Sequence, residues 1–362
     1  YFPFCFIIWT KIKIRTQIPI IIEIILYFRY MILVTGGTGL VGSHLLYQLL
    51  LKGKKVRAIY RKNSDLERVK TVFSYYTKTP DIYFDKIEWL EADLNNIPDL
   101  EKAFENVKIV YHSAALISFD TKDYIKMRKT NIKGTTNIVN LCIDNKVKKL
   151  CYVSSIATLE DAPNGAKVTE SNEWSGNKKS GYAITKYGAE QEVWRGSQED
   201  LNVVIVNPGV IIGPGFWHSG SGQMYKNIAK GLKFYATGVT GFVGVTDVAK
   251  AMIALTESDI SLERYILVSE NLNFKQVFDL IADALHVKKS TIKITKFIGA
   301  IGWRLDWVRS LLTGKSALFT KQSAKSLHQK TYYDSDKIIN ALNFKFKKII
   351  DVVKETAEVY KQ

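Results

Sequence analysis

A glycine-rich loop directly after a short apolar run is the feature that most constrains the fold of this 362-residue chain. The run covers 32–35, and glycines follow at 36, 39 and 42 before helical spacing begins. The first glycine lets the strand turn sharply, the second lets backbone N–H groups approach a pyrophosphate, and the third lets the helix pack against the strand. The helix N-terminus adds partial positive charge. The loop therefore predicts a dinucleotide site formed by Gly36, Gly39, Leu40, Val41 and Gly42.

Apolar runs of strand length alternate with stretches of helical spacing from Met31 onward. The predicted strands are 32–35, 56–60, 87–90, 107–111, 150–153 and 203–206, and the predicted helices are 43–51, 131–143 and 182–195. Alternation of this kind implies parallel strands joined by right-handed crossovers. We therefore predict an α/β fold built on a Rossmann-type doubly wound parallel sheet.

The strand–helix pattern loosens beyond Ile212, where glycines and prolines cluster. Such a segment fits a smaller C-terminal substrate-binding lobe above the carboxyl ends of the strands, where doubly wound enzymes bind ligands. The expected division is an NAD(P)-binding Rossmann domain at 31–210 and, at 211–362, mainly the substrate-binding lobe with elements returning to the Rossmann domain. Within the lobe, Asp247 and Asn273 are predicted helix N-caps.

Residues 1–30 precede the first predicted strand and carry an apolar stretch at 18–28 that Glu23 interrupts. The stretch is shorter than the roughly 20 apolar residues that a bilayer span requires, and no small-residue cleavage site follows it. We therefore expect no integral membrane span. Our hypothesis is that 1–30 is a non-native or disordered extension and that the working protein begins at Met31.

Charge and cysteine content narrow the classes of function. The net charge is +16, but the lysines are spread through the chain without a basic stripe or a nucleic-acid motif, so no nucleic-acid partner is expected. Three cysteines and five histidines lack the spacing of a disulfide framework or a metal site, and we predict no metal. Unpaired thiols, with Cys142 and Cys151 in or beside predicted core elements, are typical of a cytoplasmic protein.

The end of the second predicted strand carries a cation where an NAD enzyme usually places an acid for the ribose 2′-hydroxyl. Arg61 stands at that point, followed by Lys62, Ser64 and, further on, Arg68. Such side chains can hold a 2′-phosphate through charge-assisted hydrogen bonds, so NADP is the preferred cofactor and NAD stays open. After the third strand, Asp93 and Leu94 are placed to meet the adenine ring, although Asp93 could instead cap the following turn.

A serine pair ends the strand at 150–153, and Tyr182 and Lys186 follow on a predicted helix. Because residues four apart share a helix face, the Lys186 ammonium can lie near the Tyr182 phenol, favour its ionised form and bind the nicotinamide ribose. Ser155 would hydrogen-bond a substrate carbonyl or hydroxyl while Tyr182 passes the proton. Ser155, Tyr182 and Lys186 are therefore the predicted catalytic residues of a hydride-transfer reaction.

Together these motifs resemble the extended short-chain dehydrogenase/reductase family, also called the NAD-dependent epimerase/dehydratase superfamily, from residue 31 to about 345. The loop at 35–42 is similar to the family's glycine motif. Ser155 and the Tyr182–Lys186 pair are similar to its active-site residues. Within the family, these motifs most resemble those of members such as dihydroflavonol 4-reductase and 3β-hydroxysteroid dehydrogenase. The resemblance implies an NAD(P)-dependent oxidoreductase.

Two further segments resemble parts of the family that contact the cofactor. The stretch 112–115 is similar to the family's segment after the fourth strand, whose backbone lines the cofactor, which implies a contact at Ala114. The stretch 207–209 is similar to the loop behind the nicotinamide, which implies one at Pro208.

One departure from the family bears on the reaction. Many sugar-nucleotide epimerases and dehydratases carry Tyr-Gly shortly after the serine strand, whereas 156–160 here reads Ile-Ala-Thr-Leu-Glu. The 4,6-dehydratases also add an acidic pair beside the serine position, and 156–157 supplies neither acid. This favours a reductase of a ketone, or a dehydrogenase of a secondary alcohol, acting on a small-molecule carbonyl or alcohol substrate. A second hypothesis is a nucleotide-sugar epimerase or dehydratase with tightly bound NAD. A third is a non-catalytic dinucleotide sensor. A homodimer is possible.

The stretch 297–312 mixes apolar and basic residues and includes Trp303 and Trp307. It could lie on a membrane surface or form a hydrophobic lid over the substrate pocket. A lid or a packed amphipathic helix is the preferred interpretation. Earlier in the same lobe, Trp217 and His218 either line the pocket or pack as ordinary lobe residues.

Overall fold

The computed structural model describes residues 30–176, 180–313, 324 and 327–362, so the predicted extension at 1–30 lies outside it except for Tyr30. The strands, in chain order, are β1 Met31–Thr35, β2 Val56–Tyr60, β3 Glu88–Glu91, β4 Val107–His112, β5 Lys149–Val153, β6 Val203–Pro208, β7 Val210–Ile212, β8 Phe234–Tyr235, β9 Val239–Gly244, β10 Glu263–Leu267, β11 Glu270–Asn273 and β12 Ile292–Lys293. The α-helices are α1 Leu40–Leu51, α2 Glu67–Ser74, α3 Pro80–Phe84, α4 Ile97–Ala103, α5 Tyr124–Met127, α6 Gly134–Asp144, α7 Gly181–Ser197, α8 Gly222–Ala229, α9 Val245–Glu257, α10 Phe274–Leu285, α11 Lys296–Thr313, α12 Asp336–Leu342 and α13 Ile349–Lys361.

Seven parallel strands form the central sheet in the order β10-β6-β5-β4-β1-β2-β3. The strand order reverses between β1 and β4, and such a switch point is where doubly wound sheets bind ligands at the carboxyl ends of their strands. The predicted Rossmann-type doubly wound parallel sheet is confirmed, and all six predicted strands are present within two residues of their expected ends.

Helices cover both faces of this sheet, which explains the continuous apolar runs of its strands. All residues of β1, β5 and β6 are buried. Side chains from α1 and α9 pack on one face, and side chains from α6 and α7 pack on the other. Strands buried on both sides cannot alternate polar and apolar residues, and this is why each reads as an uninterrupted hydrophobic segment.

The chain leaves the central sheet after β6 and returns to it at β10, which pairs with β6 over five residues. In between and beyond, β7, β9 and β11 form a second sheet whose core is shared with α8, α10 and α13. Trp217 packs edge-on against Tyr225 and Tyr360 of this second core. The domain division at 210/211 stays a prediction.

One predicted N-cap is confirmed, another is wrong, and two helices begin earlier than expected, including α1 at Leu40 instead of 43. Asn273 is the N-cap of α10 and forms a complete capping box with Gln276, as predicted. Asp247 is not an N-cap, because β9 runs directly into α9 and Gly244 takes that position. The Asp247 carboxylate accepts instead from the backbone N–H of Lys347, 2.7 Å away. The predicted helix at 131–143 begins earlier, with a π-helical turn at Arg128–Lys133 that leads into α6.

His44 is buried in α1, and its neutral ring contacts both Pro214 and Tyr76. Its Nε2 donates to the backbone carbonyl of Pro214 at 3.1 Å, and its Nδ1 accepts from the hydroxyl of Tyr76. Burial lowers the pKa of His44 from 6.5 to about 4, and the bond to Pro214 offsets this only partly. A proton added at Nδ1 would remove the acceptor that Tyr76 needs.

Acid is therefore expected to destabilise the fold through His44. Between pH 6.5 and about 4 the unfolded chain binds a proton at this position and the folded chain does not, so the free energy of unfolding falls as pH falls through that window. The loss amounts to about 3 kcal/mol at pH 4. Urea unfolding of a His44→Gln variant should show a smaller change between pH 7 and pH 4.5 than the parent. His218→Gln, at an exposed histidine, should leave the change intact; equal slopes for all three proteins would contradict the assignment.

Candidate active site and cofactor cleft

The glycine loop between β1 and α1 is closed so tightly that side chains are excluded. Gly36 has φ +71°, and the N–H of Gly39 donates to its carbonyl at 2.9 Å. A Cβ added at Gly36 would lie 2.6 Å from the backbone nitrogen of Ala114, and one at Gly42 would lie 2.1 Å from the Gly36 oxygen. The loop therefore leaves its backbone accessible to a ligand at the N-terminus of α1.

A cleft of about 220 Å³ opens beside this loop, at the carboxyl ends of β1 to β4. Its lining includes seven of the predicted cofactor residues: Gly36, Gly39, Arg61, Ser64, Asp93, Leu94 and Ala114. Leu40, Val41 and Gly42 form the first turn of α1 behind the loop. Pro208 ends β6 and is not part of the lining. The small residues, the helix N-terminus and the shape of the cleft fit a nicotinamide dinucleotide.

The turn after β2 brings Arg61 to the cleft. The backbone N–H of Arg61 donates to the Ser64 hydroxyl at 3.0 Å, and the N–H of Ser64 donates back to the Arg61 carbonyl at 2.7 Å. Within the described part of the chain, the Arg61 guanidinium has no ion-pair partner. Arg68 differs, since it pairs with Asp65 at 3.0 Å and lies over the ring of Phe216.

Asp93 and Leu94 meet the cleft after β3. One carboxylate oxygen of Asp93 accepts from the backbone N–H of Asn95 at 2.8 Å, so this side chain caps its own turn while it lines the cleft. The backbone of Leu94 is fixed by a hydrogen bond, because its carbonyl accepts from the Asn137 side chain at 2.7 Å. Both of the roles weighed for Asp93 are thus compatible with its position.

Ser155 and Tyr182 come together at the carboxyl end of β5. Ser155 is extended, and its hydroxyl accepts from the N–H of Ala157 at 3.2 Å, which starts a 3₁₀ turn at Ile156–Thr158. Tyr182 lies in the first turn of α7, which Ser180 caps. Burial raises the pKa of the Tyr182 phenol, and its hydrogen bond with Ser155 lowers that pKa in part.

Lys186 is buried one turn further along α7 and points toward β5. Its Nζ donates to the hydroxyl of Tyr152 and to the carbonyl of Val153, each at 2.7 Å. Burial lowers the pKa of Lys186 from 10.5 to about 7, while Glu190 opposes the decrease. The amine can therefore gain or lose a proton near neutral pH. Its predicted direct action on Tyr182 stays a prediction.

A fully buried carboxylate, Glu190, holds the strand ends around these residues. Its Oε2 accepts from the Thr158 hydroxyl at 2.9 Å and from the Asn207 amide at 3.0 Å, and its Oε1 accepts from Arg264 at 3.0 Å. It also accepts from Ser154. α7 is thereby tied to the ends of β5 and β6 and to β10. Sequence analysis missed both Glu190 and Tyr152; the only signal for Glu190 was its place four residues after Lys186 on the same helix face.

Comparison with known proteins identifies the family. The family model described as the NAD dependent epimerase/dehydratase family matches residues 32–266. The chain belongs to this family. An NAD-dependent oxidoreductase of the extended short-chain dehydrogenase/reductase type is the activity class that follows, as the sequence motifs predicted.

Curated relatives of this chain include several plant reductases. Tetraketide alpha-pyrone reductase 2 of Arabidopsis thaliana is 30% identical over 266 residues, which cover 68% of this chain and 80% of the relative. Anthocyanidin reductase of the same plant is 28% identical over 311 residues, covering 76% and 89% of the two chains. Sequence similarity thus extends well beyond the glycine loop into the second half of the chain.

Solved structures match nearly the whole family fold. The crystal structure of gox2253 aligns with a TM-score of 0.76 at 27% identity and covers 92% of this chain and 98% of its own. UDP-glucose 4-epimerase from Thermotoga maritima, solved with UDP-glucose, aligns with a TM-score of 0.73 at 18% identity, covering 91% and 98%. At that lower identity the similarity concerns the fold.

The described residues contain neither a membrane-spanning helix nor a metal cluster. Every helix within the described ranges is too short or too polar to cross a bilayer. In the same ranges, histidine, cysteine, aspartate and glutamate side chains form no cluster of three or more with the arrangement of a metal site.

Proposed function

We propose that this protein reduces a ketone of a small molecule, or oxidises the corresponding secondary alcohol. The observation that carries the proposal is the position of Tyr182 beside Ser155, which lowers the pKa of the phenol, with Lys186 one helical turn away. A bound nicotinamide cofactor supplies or accepts the hydride in such chemistry. Tyr182 would donate the proton to the substrate oxygen, and Ser155 would hold that oxygen in place and polarise the carbonyl.

The Ile156–Thr158 turn supports a simple reduction over a dehydration. Its first side chain is a buried isoleucine, and no carboxyl group follows Ser155 within the turn. The direct test is NADPH oxidation in a screen of carbonyl compounds. Substrate-dependent consumption with formation of an alcohol supports the proposal. Tightly retained NAD with interconversion of a sugar nucleotide and no net consumption would support epimerisation instead.

NADP is the proposed preferred cofactor, because Arg61 lines the cleft and its guanidinium has no ion-pair partner among the described residues. Replacing Arg61 with glutamate should weaken NADPH binding by about a hundredfold, because a charge-assisted bond is lost and a repulsive charge is gained. NADH binding should change little. Arg68→Glu is the matched control, since Arg68 already pairs with Asp65. Cofactor fluorescence titration measures both affinities, and equal losses for NADPH and NADH would remove Arg61 from this role.

Tyr152 is proposed to position Lys186. Its hydroxyl accepts from the Lys186 amine inside the core, so Tyr152→Phe removes an acceptor that favours the ammonium form. We expect kcat at pH 7 to fall about tenfold. As the pH rises, the variant should also lose its reductive activity at a lower pH than the parent does. The reason is that the pKa of Lys186 would fall below its parental value of about 7.

The control for Tyr152 is Tyr225→Phe, which removes another buried tyrosine hydroxyl far along the chain, one that donates to the carbonyl of Val353. This variant should lose some stability without any shift in the pH–rate profile. A Tyr152→Phe enzyme with an unshifted profile and parental kcat would contradict the positioning role.

A further inference from the structure

Helix α11 carries its apolar side chains on the outside of the molecule. Phe297 is 73% exposed, Leu305 is 65% exposed and Leu312 is 80% exposed. These three residues lie on one stripe of the helix, because their spacing of eight and seven residues is close to two turns. The exposed apolar residues beside them on this helix are Ile298, Ile301, Trp307, Val308 and Leu311.

The polar side of the same helix faces the protein. Ser310 is buried, and the side chain of Asp306 is only 13% exposed, where it pairs with Arg309 at 2.7 Å. Gly299 is also buried, near the start of the helix. An amphipathic helix on a soluble protein normally turns its apolar stripe inward, so this arrangement is reversed.

The apolar side chains of α11 are more exposed to solvent than those of the predicted lid over the substrate pocket would be. A side chain that lines a pocket is shielded by the opposite wall, whereas Phe297, Leu305 and Leu312 each keep about two thirds or more of their surface open to solvent. Among the described residues, nothing covers this face. Apolar patches of this extent on a protein surface mark sites of protein or membrane interaction.

The charge of the sequence segment that contains α11 indicates which partner fits. The segment 287–330 has one acidic residue, Asp306, and ten basic residues: Lys288, Lys289, Lys293, Lys296, Arg304, Arg309, Lys315, Lys321, Lys325 and Lys330. The whole chain has a net charge of +16. A second copy of the chain would bring the same positive charge to this face, whereas a surface of anionic phospholipid would neutralise it.

We propose that α11 is a membrane-surface helix that lies in the interface of a bilayer containing anionic phospholipid. The stripe formed by Phe297, Leu305 and Leu312 would enter the acyl boundary. Lys296 and Arg304, both exposed, would contact the phosphate groups. Trp307 would lie at headgroup level, where tryptophan is enriched. The helix lies on the membrane without crossing it, and its role does not depend on which substrate the enzyme reduces.

The test is co-sedimentation of the full-length protein with vesicles. Vesicles of phosphatidylcholine with phosphatidylglycerol should bind the protein, and pure phosphatidylcholine vesicles should bind it at least about tenfold less, because several basic residues contribute to the attraction. A Leu305→Glu/Leu312→Glu double variant should lose at least about tenfold in binding to the anionic vesicles.

The matched control is Leu51→Glu/Leu262→Glu, which places the same two charges at exposed leucines outside α11. It should bind vesicles as the parent does. All proteins keep residues 1–29, so a loss confined to the Leu305/Leu312 variant assigns binding to α11. NADPH affinity and thermal unfolding confirm that each variant is folded.

Three results would overturn the proposal: no binding to either vesicle, parental binding by the Leu305/Leu312 variant, or a dimer in solution that this variant dissociates. The last result would assign the face to a second copy. None of them bears on the reductase activity, which the carbonyl screen tests separately.

Discussion

A Tyr182→Phe enzyme is expected to bind cofactor normally and to turn over about 10²–10⁴ times more slowly than the parent, the range that a positioned proton donor contributes. The reason is geometric. Tyr182 presents its hydroxyl beside Ser155 at the end of β5, and a phenylalanine ring fills the same space without the proton. NADPH fluorescence measures binding, and absorbance with a substrate identified in the carbonyl screen measures kcat.

Tyr187→Phe is the control for this experiment. Tyr187 lies one turn and a half further along α7, where its ring stacks on Trp174 at a centroid distance of 4.4 Å, so the variant loses a hydroxyl from the same helix outside the proposed site. Its kcat should stay within about twofold of the parent, as for most surface changes. Retained turnover in Tyr182→Phe would remove Tyr182 from the proton-transfer role, and with it the main support for the reductase over a non-catalytic sensor.

The second large effect is expected from a single methyl group at Gly42. A Cβ there would lie 2.1 Å from the Gly36 oxygen and 2.8 Å from the Gly37 Cα, and both are backbone atoms that cannot rotate away. The loop must open or the helix must shift. We expect Gly42→Ala to lose measurable NADPH binding and about 1–3 kcal/mol of folding stability, the usual cost of overpacking a tight site.

Gly299→Ala serves as the matched substitution for Gly42. A Cβ at Gly299 would meet the side chains of Ile294 and Ala324 at 3.7 and 3.8 Å, which is ordinary contact. Because alanine is favoured over glycine within a helix, this variant should be as stable as the parent or more stable by about 0.5–1 kcal/mol. Calorimetry and NADPH titration compare the two proteins. Parental cofactor affinity in Gly42→Ala would show that the loop does not close on the cofactor.

Local chemistry explains why so much of the site could be predicted. The glycine loop, Arg61 and Ser155 each lie close after a strand end, and parallel strands bring those ends to one edge. Tyr182 was predicted from another local signal, its spacing of four residues from Lys186 on a helix. The positions of the strands could be predicted because burial on both faces of the sheet requires uninterrupted apolar runs, as in β6.

The residues that escaped prediction act across the fold. Tyr152 is an apolar-looking residue of a buried strand, and only the packing of α7 on β5 reveals that it accepts from Lys186. Asp247 has the sequence context of an N-cap, but a carboxylate 100 residues from its partner Lys347 carries no local signal of that bond. The outward apolar face of α11 was likewise hidden, since helical spacing shows that a stripe exists without showing which way it points.

The place of β10 in the sheet has a consequence for synthesis of the chain. Its partner β6 is wholly buried in the finished protein, yet about 50 residues separate the two strands. At ~5–20 residues per second, β6 leaves the ribosome about 3–10 s before the strand that will cover its edge. During that interval it is an apolar strand with open hydrogen-bonding groups, the kind of surface that pairs between molecules. A chain that ends between β6 and β10 would keep that edge permanently, so a truncated Rossmann half should aggregate rather than persist as an independent nucleotide-binding fragment.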